Sequence, residues 1–143
     1  MNNLVIFKTE SWLVSYRSDS RYPGYLMISS VEEVDKLSRL SNDALCELGN
    51  VLTSTEKLLV LAYEPYKVIT TKLGFSKGFN CHFHMIPIVK SVLHEIKKHP
   101  KYTNEDPDGI DAILFICREY CEKDLTNQES LNIKQEVNKL KQL

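Results

Sequence analysis

Gly74-Phe75-Ser76-Lys77-Gly78-Phe79-Asn80-Cys81-His82-Phe83-His84-Met85-Ile86-Pro87 decides how this chain is read. Side chains on a strand alternate between faces, so Asn80, His82, His84 and Ile86 share one face of a strand through this stretch. Cys81, Phe83 and Met85 share the other and read as core. Two of the chain's four histidines thus stand one pleat apart and point the same way. Gly74 and Gly78 bracket a loop immediately before them. Three readings are compatible with the spacing: two histidines that merely cap a sheet face, a metal site built on His-x-His, or an imidazole catalyst whose pKa suits neutral pH. A metal would need a third ligand. The nearest carboxylate downstream is the distant Glu95, and His94 and His99 fall at a helix end near the surface. Spacing alone leaves the three open.

Outward from this stretch, Lys67 to Leu73 has strand composition and Cys81 to Val89 is its partner, a pair able to form a hairpin. Upstream, Leu4–Phe7, Trp12–Tyr16 and Tyr25–Ser29 are short β-branched and aromatic runs, with a polar turn ending in Pro23-Gly24 before the last of them. Ser41 is an N-cap candidate with Asp43 in the first turn. Leu45, Leu48, Leu52, Leu59 and Ala62 then recur at helical spacing up to about Tyr63, before Pro65. Val89 to Lys98 reads as a helix and Pro100 to Asp106 as a loop. Asp106 is the expected cap of the next helix, with Pro107 in its first turn. That helix carries Ile110, Ile113, Leu114 and Cys117 on one face and runs to about Glu122. Leu131 to Leu143 reads as a polar, peripheral helix. Locally paired strands with helices between and after them predict an α+β domain, an antiparallel sheet of about five strands with helices packed on it. Residues 1–125 are expected to form the domain and 126–143 a peripheral helix of the same domain.

The bulk properties narrow the function classes. The 143 residues are 43% hydrophobic with a net charge of −1, which suits one core-forming domain and offers no global attraction for nucleic acid or membrane. The apolar start, Leu4 to Phe7, lacks a basic leader and a cleavage site, and no stretch approaches the length of a membrane span. The four cysteines, Cys46, Cys81, Cys117 and Cys121, contain no Cys-x-x-Cys pair and read as free thiols of a cytoplasmic protein.

The segment resembles the His-φ-His-φ-His-φ-φ motif of the histidine-triad superfamily, where φ is apolar. Pro87 stands three residues after His84, as a proline often does after the motif's last histidine. This register sets His84 against the third histidine, His82 against the middle one and Asn80 against the first. An arginine commonly follows the proline; here Ile88 does. Lys67 to Gly74 resembles the strand and glycine that precede the motif, with Phe75 where asparagine is frequent. Arg21-Tyr22-Pro23-Gly24-Tyr25 resembles a Pro-Gly-His segment, with Tyr25 in the place of histidine. Asp108-Gly109 and Arg118 to Glu122 resemble a C-terminal extension of a bacterial-type branch. The similarity covers roughly residues 12–122.

The resemblance implies a nucleotide hydrolase or nucleotidyl transferase that cleaves at the α-phosphorus through a nucleotidyl-histidine. It assigns the nucleophile to His82, whose second ring nitrogen a backbone carbonyl would hold as a donor, and a supporting donor role to His84. Asn80 is expected near the phosphate as a neutral donor, joined by Ser76, Lys77 and the Gly78 backbone, with Asp19 on a ribose hydroxyl. Tyr22 or Trp12 is a candidate to pack on a base. No cofactor is implied beyond magnesium carried on the substrate's phosphates. The expected partners are a nucleotide and a second copy of the chain in a two-fold dimer. A fold that binds nucleotides with little turnover is the alternative, and the changes at Asn80, Tyr25, Phe75 and Ile88 favour it.

Overall fold

The computed structural model describes residues 2–102 and 105–143. A single sheet of five antiparallel strands organises them: β1 (Val5–Lys8), β2 (Trp12–Tyr16), β3 (Leu26–Ser30), β4 (Lys67–Thr71) and β5 (His82–Ile88). Their spatial order is β1-β2-β3-β5-β4, so the histidine strand β5 lies inside the sheet and β4 forms its edge. The described residues also form four α-helices: α1 (Asn42–Tyr63), α2 (Lys90–Lys98), α3 (Gly109–Tyr120) and α4 (Asn127–Lys141). The α+β antiparallel architecture and every strand read from the sequence are present, with ends displaced by a residue or a few. Of the loop expected over 100–106, Thr103 and Asn104 lie outside the described residues, as does Met1.

The alternation of side chains divides the core in two. Trp12, Val14 and Tyr16 of β2, Leu26 and Ile28 of β3 and Met85 of β5 point to one face, where α1 and α4 bury them with Val51, Leu59, Ile133 and Val137. Ile86 and Ile88 of β5 point to the other face, where α2 and α3 cover them with Val92, Ile96, Phe115 and Ile116. The helices on this second face sit over the Ile86–Ile88 end of β5. The end that carries His82 is only half-buried.

Local chemistry explains the boundaries. Ser41 accepts from the Ala44 amide at 3.1 Å and starts α1 as expected. The start of α3 differs from the sequence reading. Asp108, not Asp106, is the N-cap: its carboxylate accepts from the amides of Ile110 and Asp111, and Asp111 accepts from the Asp108 amide. Pro107 therefore precedes the cap instead of opening the first turn. This reciprocal capping box satisfies more orphan donors than Asp106 followed by a proline would. The start of α4 differs as well. Thr126 and Glu129 form a second capping box, so the helix begins before Leu131. Ile133, Val137 and Leu140 on α4 are buried in the first core, so this Lys- and Gln-rich helix is a packing element. Its apolar residues are few, but they fall at i, i+4 and i+7 and make one stripe.

Two positions fix the turn into β3 and the exit of β5. Gly24 has a φ of +86°, and a Cβ there would stand 2.6 Å from Tyr63 and 2.8 Å from Pro87. Only glycine meets both conditions. Pro87 lies beyond Met85, the last β5 residue paired with β3, so its missing N–H removes no bond on that side.

Candidate active site

The sheet register sets the two histidines in different surroundings. His82 pairs with Ser29 of β3, and His84 pairs with Met27 of β3 and Thr71 of β4. Their rings are 5.2 Å apart between centroids. His82 is half-buried, and its Nδ1 lies 2.8 Å from the backbone carbonyl oxygen of Asn80. A carbonyl oxygen can only accept, so Nδ1 is the protonated nitrogen, and in the neutral ring Nε2 carries the lone pair. The segment that presents this carbonyl is fastened on both sides. The Asn80 side-chain amide donates to the Ser30 carbonyl at 3.1 Å, and the Cys81 amide donates to the Val34 carbonyl at 2.6 Å.

His84 is 7% exposed and has a side chain for a partner. Its Nδ1 is 2.7 Å from the Tyr25 hydroxyl, itself buried. Arg17 donates to the same hydroxyl from Nη1 at 3.0 Å and stands with its guanidinium 4.8 Å from the Tyr25 ring centre. Asp19 holds Arg17 in turn, at 2.6 Å from Nε. Burial, aided by the neighbouring His82 and Arg17, pushes the His84 pKa from its ordinary 6.5 down to about 4. His84 is therefore a neutral imidazole at physiological pH. Cys117 of α3 adjoins this network, with its sulfur 3.8 Å from the Tyr25 hydroxyl and 3.9 Å from Arg17 Nη1. Hydrogen bonding from the Cys121 thiol, which outweighs burial, together with the nearby Arg17 guanidinium, holds the Cys117 thiol down at about 6.

Solved structures reproduce this architecture. The C. elegans NitFhit protein superposes on 98% of the chain with a TM-score of 0.65 at 10% identity. The Plasmodium falciparum diadenosine triphosphate hydrolase, in complex with cyclomarin A, covers 99% with a TM-score of 0.64 at 10% identity. A hypothetical histidine triad nucleotide-binding protein from Sulfolobus tokodaii covers 97% with a TM-score of 0.63 at 10% identity. The chain has the histidine-triad fold. It spans 27% of the NitFhit chain, but 76% and 83% of the Plasmodium and Sulfolobus chains. No protein-family model and no curated protein matches the sequence.

Within the histidine-triad fold, the residues singled out in the sequence fall into four groups. Asn80, His82 and His84 come together at the middle of the sheet, with Asn80 acting on His82 through its main chain. Ser76, Lys77 and Gly78 lie exposed on the loop that leads into β5, and Gly78 takes a φ of +87°. Phe79, on the same loop, brings its largely exposed ring to 5.8 Å from that of His82. Asp19 is engaged by Arg17 behind His84. Trp12 and Tyr22 are fully buried: Trp12 donates to the Ala44 carbonyl at 2.9 Å, and the Tyr22 hydroxyl donates to the Pro87 carbonyl. Neither presents a face to a base. Among the described residues, no three His, Cys, Asp or Glu side chains gather as a metal-ligand set. Arg17 and Cys117 were not singled out as site residues. The only sequence signal for Arg17 was its place one residue beyond a strand, two before Asp19. Cys117 showed only its four-residue spacing from Cys121.

Proposed function

We propose that the chain is a nucleotide hydrolase or nucleotidyl transferase acting through His82. The observation that carries this reading is the His82 Nδ1–H bond to the Asn80 carbonyl at 2.8 Å, at the half-open end of the sheet face. It supports the reading because it leaves the Nε2 lone pair of a strand-held imidazole free for nucleophilic attack. In the proposed first step, the Nε2 lone pair forms a bond to the α-phosphorus of a dinucleoside polyphosphate or nucleoside phosphoramidate. The bond to the leaving group breaks, and the leaving group departs with that electron pair. Water then forms a bond to phosphorus and gives its proton to solvent, while the phosphorus–nitrogen bond breaks and returns its electron pair to Nε2. His84 supports charge on the phosphate oxygens as a neutral N–H donor, and the loop of Ser76, Lys77 and Gly78 supplies further donors. The proposal requires no protein-bound cofactor, and any magnesium would be carried on the substrate's phosphates. A two-fold dimer joined through sheet edges belongs to the same reading, and β4 is an available edge.

The test is a rapid-mix experiment with an α-labelled substrate and an alkaline quench. A phosphorus–nitrogen bond survives base and is lost in acid, where the nitrogen becomes a good leaving group. Acid-labile label on the wild-type protein, absent from His82→Ala, together with net retention at phosphorus, is the expected result. Inversion would leave His82 at most an activator of water. Tight nucleotide binding with neither label nor product would support the alternative, a binding domain. Asn80, which the resemblance sets against the first histidine and which cannot carry a proton, favours this alternative.

A further inference from the structure

We infer that Tyr25, oriented by Arg17, is a positioning residue that fixes His84 as the Nε2–H tautomer, the opposite of the tautomer held at His82. The argument is a count of donors and acceptors. Arg17 has N–H donors and no acceptor, so across the 3.0 Å contact the Tyr25 oxygen accepts. The Tyr25 proton must then go elsewhere, and two acceptors are near. The Cys117 sulfur is at 3.8 Å, and His84 Nδ1 is at 2.7 Å. The shorter contact has the length of an O–H donor bond, whereas an N–H donor sits nearer 2.9–3.0 Å. Tyr25 therefore donates and His84 Nδ1 accepts, which leaves the ring proton on Nε2.

Two further observations support this assignment. Burial pushes the Tyr25 hydroxyl pKa up, so the phenol keeps its proton throughout the working range. The depressed His84 pKa keeps that ring neutral, so its tautomer is a real choice. The strand thus carries two imidazoles of opposite polarity. His82 is tied through Nδ1–H to a main-chain acceptor and is open at Nε2. His84 is tied through its Nδ1 lone pair to a side-chain donor and is protonated at Nε2. A base beside a donor is the arrangement that attack on a phosphate with charge on its oxygens requires. This role of Tyr25 in turnover rests on the proposed function, whereas the tautomer itself does not.

The nitrogen spectrum of the histidine side chains decides the matter without any substrate. The chain has only four histidines, so ¹⁵N-histidine protein at pH 7 gives a readable long-range ¹H–¹⁵N map, with His84 assigned by its loss in His84→Gln. The expected wild-type pattern for His84 is a protonated Nε2 and a hydrogen-bonded acceptor Nδ1. Tyr25→Phe keeps the ring that fills the core, and should move Nδ1 to the position of an unbonded acceptor. A wild-type proton on Nδ1, or an Nδ1 resonance unmoved in Tyr25→Phe, would overturn the assignment. If the wild type turns over nucleotide, Tyr25→Phe should lower kcat roughly tenfold with KM within about twofold; an unchanged kcat would remove the positioning role. A wild type with no turnover would count against the proposed function alone, because the spectrum still decides the tautomer.

Discussion

The two halves of β5 begin with the same residue type on the same face and finish with different chemistry. At the His82 end, the face is half-open and the histidine is held by main chain. At the His84 end, α3 and the Tyr25–Arg17–Asp19 chain close over the ring, and the pKa falls to about 4. The difference comes from what covers the strand, not from the strand. One pleat of separation divides a half-open imidazole held by main chain from an enclosed one held by a side chain, and the roles proposed for them follow that division. The open end needs only a carbonyl to set its tautomer. The closed end needs a network of side chains brought together from the lead-in to β3, the turn after β2 and α3.

The strongest way to break this comparison is to remove the open-end imidazole. His82→Ala should cost about 10⁴-fold or more in kcat, because no other group can form the covalent bond. Circular dichroism and the unfolding midpoint should stay near wild type, since the ring is half-exposed. A variant that keeps wild-type kcat would end the assignment. At the closed end, His84→Gln should cost less, on the order of 10²–10³ in kcat, the worth of one oxyanion donor. Reversed magnitudes would mean that the two roles are exchanged along the strand.

The closed end is also the part that stability measurements should reach. Gly24→Ala places a Cβ against Tyr63 and Pro87 at a positive φ, and should lower the unfolding free energy by about 2–4 kcal/mol in urea titrations. A loss below about 1 kcal/mol would mean that the turn into β3 can relax. Acid should act here too. The unfolded chain binds a proton at His84 near the ordinary 6.5, whereas the folded chain resists until about 4. As pH falls through that window the unfolded state takes up the proton first, so stability declines between pH 6.5 and 4 and is unaffected by this group above it. Wild type should lose roughly 2–3 kcal/mol more than His84→Gln across the window. Parallel pH curves for the two proteins would place the His84 ring in contact with water.

Much of the fold was legible because its signals are local. The strands, the Ser41 cap and the His82–Pro87 register are carried by residues a few positions apart. The nucleophile candidate was legible for the same reason, since alternation along one strand is enough to put His82 and His84 on one face. What the sequence hid is set by long-range packing. Tyr25 is 59 residues from His84, and Cys117 is 92 from Tyr25, so no spacing rule joins them. The aromatic rings expected to meet a base show the converse. Trp12 and Tyr22 lie on strand and turn positions that the helices cover, and composition could not say which side would be covered. The Asp108 and Thr126 caps were hidden differently. Both signals are local, but a proline after Asp106 and a polar first turn before Leu131 competed with them.

The smallest expected effect concerns Asn80, and it separates main-chain from side-chain work at the open end. The resemblance sets Asn80 against the first histidine of the motif, and a role on the phosphate would make its side chain a ligand. The geometry gives the side chain another task, since its amide donates to the Ser30 carbonyl while its own carbonyl holds His82. Asn80→Ala removes the first contact and keeps the second. Stability should fall by about 1 kcal/mol, the worth of one partly buried hydrogen bond. The kcat should stay within about threefold of wild type, because the bond that sets the His82 tautomer is unchanged. The pairing of a small stability loss with a nearly unaltered rate is the signature to seek in parallel unfolding and turnover assays. A hundredfold loss of kcat with unchanged stability would show the reverse, an amide that leaves Ser30 and turns to the substrate. In that event the open end would use two side chains, and its contrast with the networked His84 end would be one of burial alone.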